Sequence, residues 1–535
     1  MVAVDLPNDH GLLAIIHGTQ RIPEADISLG DFRLQQRQHI ALHPTRGAPM
    51  RLSNPLAMSV TQLSPRDADY IYNEADGHLG HLIGVYFFET SRHPDSEFSQ
   101  EQAVEWVTAR LGHDRMFTQR IQRTPLSLEH PHWVPASNFD VSDHVQVTNI
   151  TEPGWAALQD PLSKLLTSRM DLTRPPWGLH FFNGIEGLDD LPGRLTAVVL
   201  KSHHSGADGI AIRMLGEAIF SDTLRPAEFE PAIPFLKARM LLNAVLSMPN
   251  QVLRFARHVP ANRAAHRAVA EAQAAGEWVE SFRDHPTTRF NGKVSGSGTL
   301  EQITLPGAAV RQIKDAVSGA TINDVLLAVV GGALMRYLTE KGEEPKGSLV
   351  AMVPRSMRKI EDWESANQLV ILAIDMHTHV EDPLKRVALI AESARLEKAR
   401  TSHLAIRRVS AAIETAPAPL LRLIAYTRRK NPYDLNHPCY QHTMVSNIPL
   451  SVDGLTLNGA PGAAVLATQP PVDGDGLRHF MVAASGGGLT LNVIADTVAM
   501  PDLHHYIGLL RASFEQLKMA SDERSRDLDR NKVTS

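Results

Sequence analysis

The chain has 535 residues, 43% hydrophobic and 21% charged, a globular balance with a core large enough to need no staple of disulfides or metals; disorder along the whole length is excluded. Fifty-three Lys and Arg against 59 Asp and Glu leave a net charge of −6, which argues against a nucleic-acid binder built on a strongly basic surface. The single cysteine, Cys439, excludes an intramolecular disulfide and a cysteine-based zinc site.

Residues 1–57 mix Gln, His, Arg and Pro with no sustained period and read as a poorly ordered N-terminal extension. Met50 and Met58 both precede the first patterned segment, so the functional start is expected downstream of Met1. The first ten residues carry Asp5 and Asp9 and no Lys or Arg, unlike a secretory signal. No run approaches the ~18 apolar residues of a spanning helix. A cytoplasmic protein is expected, with association at a membrane surface left open.

A regular pattern begins at Leu63. Ser64-Pro65-Arg66-Asp67 reads as a helix start. His81–Glu89 is β-branched and aromatic, a strand. Asp143–Ile150 reads as a strand, Leu158–Ser168 as a helix, Trp177–Asn183 and Arg194–Ser202 as strands, and Gly209–Phe220 as an amphipathic helix. These make a first α/β unit, residues 58–222. Residues 223–300 read as a helical connection. There Leu236–His258 is apolar with Lys237, Arg239, Arg254 and Arg257 on its flank, and is interrupted at Pro249. Ser295-Gly296-Ser297-Gly298 reads as a flexible crossing. A second α/β unit, residues 301–520, follows. It holds a helix Thr321–Leu338, strands Ser348–Val353 and Gln368–His377, and one long helix Leu384–Arg407. Strands Thr443–Ile448 and Leu489–Ala495 and a helix Asp502–Met519 complete it. The charged tail 521–535 reads as frayed.

One segment carries chemistry: Lys201-Ser202-His203-His204-Ser205-Gly206-Ala207-Asp208-Gly209 has the form HHxxxDG between an apolar strand and a helix. A strand end holds geometry while the turn exposes a side chain. A neutral imidazole, with a pKa near ~6.5, is a base at cellular pH. His204 in such a turn can take the proton of an alcohol as it attacks an acyl carbonyl. Asp208 is read as fixing the turn or orienting the histidine through an arginine, and Gly209 as allowing the tight exit into the helix. There is no GxSxG elbow, P-loop, dinucleotide GxGxxG or HExxH. Adjacent histidines on one strand face opposite ways, which disfavours a metal at His203 and His204.

With that motif the chain resembles the bacterial wax ester synthase/diacylglycerol acyltransferase family. That family belongs to the coenzyme A-dependent acyltransferase superfamily, with chloramphenicol acetyltransferase and peptide-synthetase condensation domains. Further segments narrow the resemblance. Leu63-Ser64-Pro65-Arg66-Asp67-Ala68 resembles the family's LSPLDA, and Asp171 to Trp177 its LDxxRPLW. Gly319 to Val325 matches GATVNDV, Val353 to Arg358 resembles VPVSLR, and Ser446-Asn447-Ile448-Pro449 resembles SNVPG. The matches run in family order from about residue 62 to 518. Pro176, Leu450 and Ala366 depart from the pattern.

The resemblance implies an α/β fold of two chloramphenicol-acetyltransferase-like subdomains with mixed sheets and a tunnel at their interface. It implies an O-acyltransferase moving a fatty acyl group from acyl-CoA, a co-substrate, to a long-chain alcohol or diacylglycerol, giving wax ester or triacylglycerol. No metal and no other cofactor is implied. His204 would be the general base, beside His203, Asp208 and Gly209. Asn323 and Asp324 would cap a helix or contribute to the site from the second unit. Arg355 and Arg358 would pair with Asp208, meet CoA phosphates, or be solvated. The segment Leu236–His258 would pack on the domain interface or lie on a membrane or lipid-inclusion surface. Two other readings stay open: a condensation-type acyltransferase using a carrier-bound donor, and an inactive lipid-binding protein. The sequence does not identify the donors that stabilise an oxyanion.

Overall fold

The computed structural model describes residues 60–533, apart from 138, 192, 228, 230, 232, 279–284, 357–366, 368, 431–432, 434 and 436–437. The extension 1–57, Arg358 and Ala366 lie outside the described residues.

Strands β1 (Thr61–Gln62), β3 (Gln119–Gln122) and β4 (His132–Pro135) form a small sheet in the order β1-β4-β3. The two large sheets have six strands each. In the first, β2 (His81–Glu89), β5 (Val145–Asn149), β6 (Trp177–Ile185), β7 (Leu195–His203), β12 (Thr456–Leu457) and β13 (Ala460–Thr468) stand in the order β12-β13-β2-β7-β6-β5. The second holds β8 (Gly298–Leu305), β9 (Val350–Ser356), β10 (Leu369–Asp375), β11 (Thr443–Asn447), β14 (Leu477–Ala483) and β15 (Leu489–Asp496), in the order β10-β9-β11-β14-β15-β8. Both sheets are mixed. β5 runs parallel to β6, and β11 runs parallel to both β9 and β14. The centre of the first sheet is β2 against β7, both buried on both faces, which is why each is built around an apolar or aromatic stretch, residues 82–88 and 197–200.

Helices cover these sheets: α1 (Pro65–Asn73), α2 (Gln100–Thr108), α3 (Ala156–Thr167), α4 (Gly209–Ile219), α5 (Leu236–Ala274), α6 (Gly307–Asp315), α7 (Ile322–Glu340), α8 (Pro383–Ser402), α9 (Leu404–Ala411), α10 (Ala418–Lys430) and α11 (Leu503–Val533). α1 begins as its sequence dictates, with the Ser64 hydroxyl accepting from the Asp67 amide at 3.0 Å. α7 is long and apolar enough to span a membrane by composition, yet it is packed inside the second core.

Four boundaries differ from the sequence reading. β13 lies in the second unit by sequence but pairs with β2 of the first sheet, Val465 opposite Tyr86 and Thr468 opposite Ile83. It covers an edge of β2 that would otherwise be open. α5 continues through Pro249 and Pro260. The turns around both prolines are largely exposed, so water can serve the carbonyls they displace. The long helix expected over Leu384–Arg407 breaks at His403, whose backbone is extended and whose ring accepts from the Ala405 amide at 3.2 Å. The tail expected to fray is the end of α11, anchored where buried Ser521 donates to the Gln312 carbonyl of α6.

The first core is not confined to the first unit. Met444, Phe480, Val482 and Ile494 of the second sheet, with Ile448 just past β11, pack into it, so the two halves meet through apolar contact at the level of the HHxxxDG turn.

Candidate active site

β7 delivers His203 at its last position, and the turn 204–208 leads into α4. Asp208 caps that helix: its Oδ1 accepts from the amides of Ile210 and Ala211, each at 3.0 Å. The steric demand for glycine falls at a place the sequence reading did not assign. A Cβ on Gly209 would rest 3.5 Å from Ile448, an ordinary contact, and its φ is not left-handed. A Cβ on Gly206 would come within 2.4 Å of Met116 Cε and 3.0 Å of the Trp133 ring. The tight passage is therefore at Gly206.

The two histidines face different surroundings. His203 is fully buried, and its Nδ1 accepts from the Ser205 hydroxyl at 2.8 Å and the Ser205 amide at 3.2 Å. That leaves the ring proton on Nε2, which points to Glu74 Oε1 at 3.7 Å, an ion-pair distance too long for a hydrogen bond. Burial raises the Glu74 carboxyl, but His203 and Arg169 outweigh it and hold it below its ordinary value. Glu74 had no signal in the sequence.

His204 is held at both its backbone amide and its carbonyl. Its amide donates to the Gly80 carbonyl at 2.8 Å, and its carbonyl accepts from Asn367 Nδ2 at 2.7 Å. The ring stacks on Tyr70, centroids 4.1 Å apart and 9° from parallel. Its Nε2 lies 3.4 Å from Gln469 Nε2. Burial pushes the imidazole down to about 4, and the positive charge of Arg478 pushes the same way. His204 is thus a neutral imidazole at ordinary pH.

Asn367 ties the second half to this turn. Besides the His204 carbonyl, its side chain and amide reach Asp67 Oδ1 of α1 at 2.8 and 3.1 Å. Behind the turn, Lys201 donates to the carbonyls of Leu165 and Ser168, both at 2.6 Å, and so fixes the end of α3. Burial lowers this ammonium to about 8.

The remaining sequence candidates lie nearby or apart. Asp324 serves the start of α7, its Oδ2 accepting from the Thr321 amide at 2.7 Å and hydroxyl at 2.8 Å. Asn323 accepts from Asn447 Nδ2 at 3.2 Å. Asn447 adjoins Ile448, which faces Gly209. Arg355 sits half-buried on β9 and makes no ion pair with Asp208. Among the described residues, four that sequence reasoning missed surround the histidines: Tyr70, Glu74, Asn367 and Gln469.

Next to Glu74 opens a cavity of about 1390 Å³. Six cations line it: Arg120, Arg123, Arg169, Lys237, Arg422 and Arg429, against the acids Glu74, Asp76 and Asp171. Arg169 faces Glu74 and Asp76, each at 3.8 Å. A positive surplus therefore remains for an anionic ligand.

Known proteins share this architecture. The wax ester synthase/diacylglycerol acyltransferase catalytic domain matches residues 63–326, and the C-terminal domain of the same family matches residues 365–518. A probable diacylglycerol O-acyltransferase of Mycobacterium tuberculosis, Tgs2, is 28% identical over 86% of this chain and 99% of its own. The wax ester synthase/diacylglycerol acyltransferase of Marinobacter aquaeolei VT8 superposes with a TM-score of 0.59 at 20% identity, over 86% of this chain and all of that one. The first condensation domain of the CDA synthetase superposes at 0.52 with 13% identity, over 87% of this chain and 97% of its own.

Proposed function

The chain belongs to the wax ester synthase/diacylglycerol acyltransferase family, and we propose that it transfers a fatty acyl group from acyl-CoA to a long-chain alcohol or diacylglycerol with His204 as general base. The observation that carries this reading is a buried, neutral imidazole whose Nε2 is engaged only by an amide at 3.4 Å.

The acceptor hydroxyl gives its proton to His204 Nε2 as its oxygen attacks the thioester carbon. The new C–O bond forms a tetrahedral oxyanion. Its collapse breaks the C–S bond, and His204 returns the proton to the leaving CoA thiolate. Atoms and charge balance without a covalent acyl-enzyme or a further cofactor. A base that starts neutral and ends neutral is suited to this two-step transfer. His203, through Ser205 and Glu74, fixes the turn rather than the proton. Asp208 holds the exit into α4. The cation-lined cavity beside Glu74 suits the phosphates of CoA.

The lipid acceptor suggests a site of work on a cytoplasmic membrane face or a lipid inclusion. α5 exposes Leu242, Val245, Leu246, Val252 and Leu253 alongside Lys237, Arg239, Arg254 and Arg257. A face of that composition is complementary to anionic lipid.

The deciding experiment incubates the protein with palmitoyl-CoA and either hexadecanol or dioleoylglycerol and follows ester product. Product is expected from the wild type and none from a folded His204→Ala variant. No ester with any alcohol would favour the lipid-binding reading; a His204→Ala variant that turns over normally would sink the mechanism.

A further inference from the structure

The acyl transfer above needs a donor aimed at the oxyanion. Such a donor must lie close to the base. The attacking hydroxyl sits about 3 Å from His204 Nε2, and the oxyanion forms two bonds beyond it, within about 5 Å of Nε2. Gln469 Nε2 is 3.4 Å from that nitrogen.

The orientation of the Gln469 amide is fixed by chemistry. Its Oε1 lies 3.1 Å from Arg478 Nη1. A guanidinium has only donors, so the amide oxygen must face it and the NH₂ must face His204. Arg478 is itself locked, its Nε donating to Asp475 Oδ2 at 2.7 Å. Both residues are buried, and the turn carrying Asp475 closes through backbone bonds between Val472 and Asp475. Gln469 follows β13 in the first sheet and Arg478 lies in β14 of the second, so the line Asp475–Arg478–Gln469 is anchored on two rigid strands. A cation on the amide oxygen also polarises the N–H bonds and strengthens them as donors.

Three nearby amides are already engaged. The His204 amide serves Gly80, Asn367 Nδ2 serves His204 and Asp67, and the Ser205 amide serves His203. The Gln469 amide carries two N–H groups. One meets the lone pair of Nε2 in the resting site, and the second is free.

We infer that Gln469 is a catalytic residue of the acyl transfer, its side-chain amide donating to the oxyanion, with Arg478 and Asp475 as the positioning residues that aim it. The inference rests on the acyl-transfer reading of His204. It gives Gln469 a duty realised in the transition state, when the carbonyl oxygen gains charge, rather than in substrate binding.

Two variants test it. Gln469→Leu removes the donor. Gln469→Glu keeps the shape, pairs with Arg478, removes the N–H and places negative charge at the oxyanion. For both, kcat should fall by about 10²–10³-fold while KM for acyl-CoA stays within about threefold of wild type. In Gln469→Glu the acid limb of the pH–rate profile should also move to higher pH, because a carboxylate beside His204 favours its protonated form; a packing role would not move it. The melting temperature of Gln469→Glu, which keeps an acceptor for Arg478, should stay near wild type. A kcat within threefold of wild type in either variant, a loss confined to KM, or a collapsed melting temperature in Gln469→Glu would each overturn the assignment. A wild type that forms no ester with any alcohol sinks the acyl-transfer reading itself, whereas an active wild type with unimpaired variants sinks only this inference.

Discussion

Acidifying the reaction separates a buried base from an ordinary one. Burial lowers His204 to about 4. An imidazole at ~6.5 is only about 9% neutral at pH 5.5, whereas one at ~4 is about 97% neutral there. Between pH 8 and pH 5.5, kcat/KM is therefore expected to change by only a few per cent through this group, against a loss of about tenfold for an unperturbed histidine. The assay is the initial rate of ester formation at subsaturating acyl-CoA and alcohol, quenched and read by mass spectrometry. Thiol reagents are avoided because they lose response in acid. The same samples are followed by circular dichroism, because stability moves over a neighbouring window. Burial also lowers His78, His180 and His442 to about 4 and His479 to about 3. Between those values and 6.5 the unfolded chain binds more protons than the folded one. Their stabilising effect is complete above pH 6.5 and is lost as pH falls toward 4. An acid limb near pH 6.5 in protein that is still folded would refute the claim that His204 is the buried base.

Asn367→Leu strips one side-chain bond from the His204 carbonyl and one from Asp67, whose Oδ1 keeps the backbone amide of residue 367. Leaving the buried His204 carbonyl unsatisfied costs about 1–3 kcal/mol, so urea denaturation should show a loss of that order together with a lower kcat. Wild-type stability and rate would show that the turn does not depend on this tie. Gly206→Ala should destabilise by about 1–3 kcal/mol through crowding at Met116 and Trp133, while Gly209→Ala should change the urea midpoint little. The reverse order would contradict the placement of the tight passage.

The layers of this fold were legible where the physics is local. β2 and β7 announce themselves by the apolar and aromatic stretches that burial on both faces favours, residues 82–88 and 197–200. α1 and α4 carry their own caps, at Ser64 and Asp208. β13 was not legible: its sequence, APGAAVLAT, is poor in β-branched and aromatic residues, and β2 alongside makes it a strand. The site divided the same way. The histidines and Asp208 stand within one short motif. Asn367 and Gln469 reach His204 from 163 and 265 positions away, and an isolated asparagine or glutamine carries no periodicity or spacing that would mark it. Glu74 hides for a related reason: one acid at the end of α1 looks like any solvated carboxylate until His203 is placed beside it.

The late arrival of β13 has a consequence for biosynthesis. When the ribosome has released β2, β5, β6 and β7, the first sheet still lacks β12 and β13, the second of which covers β2. The exposed rim of β2, rich in Tyr86, Phe87 and Phe88, waits until residue 468 has emerged. At ~5–20 residues per second that wait lasts tens of seconds. During it the nascent chain carries an unpaired aromatic edge, a template for association with other chains. Expression of the first half alone should therefore yield aggregate, and a fragment stopping before β13 should be a client of holdase chaperones in a way that the full chain is not.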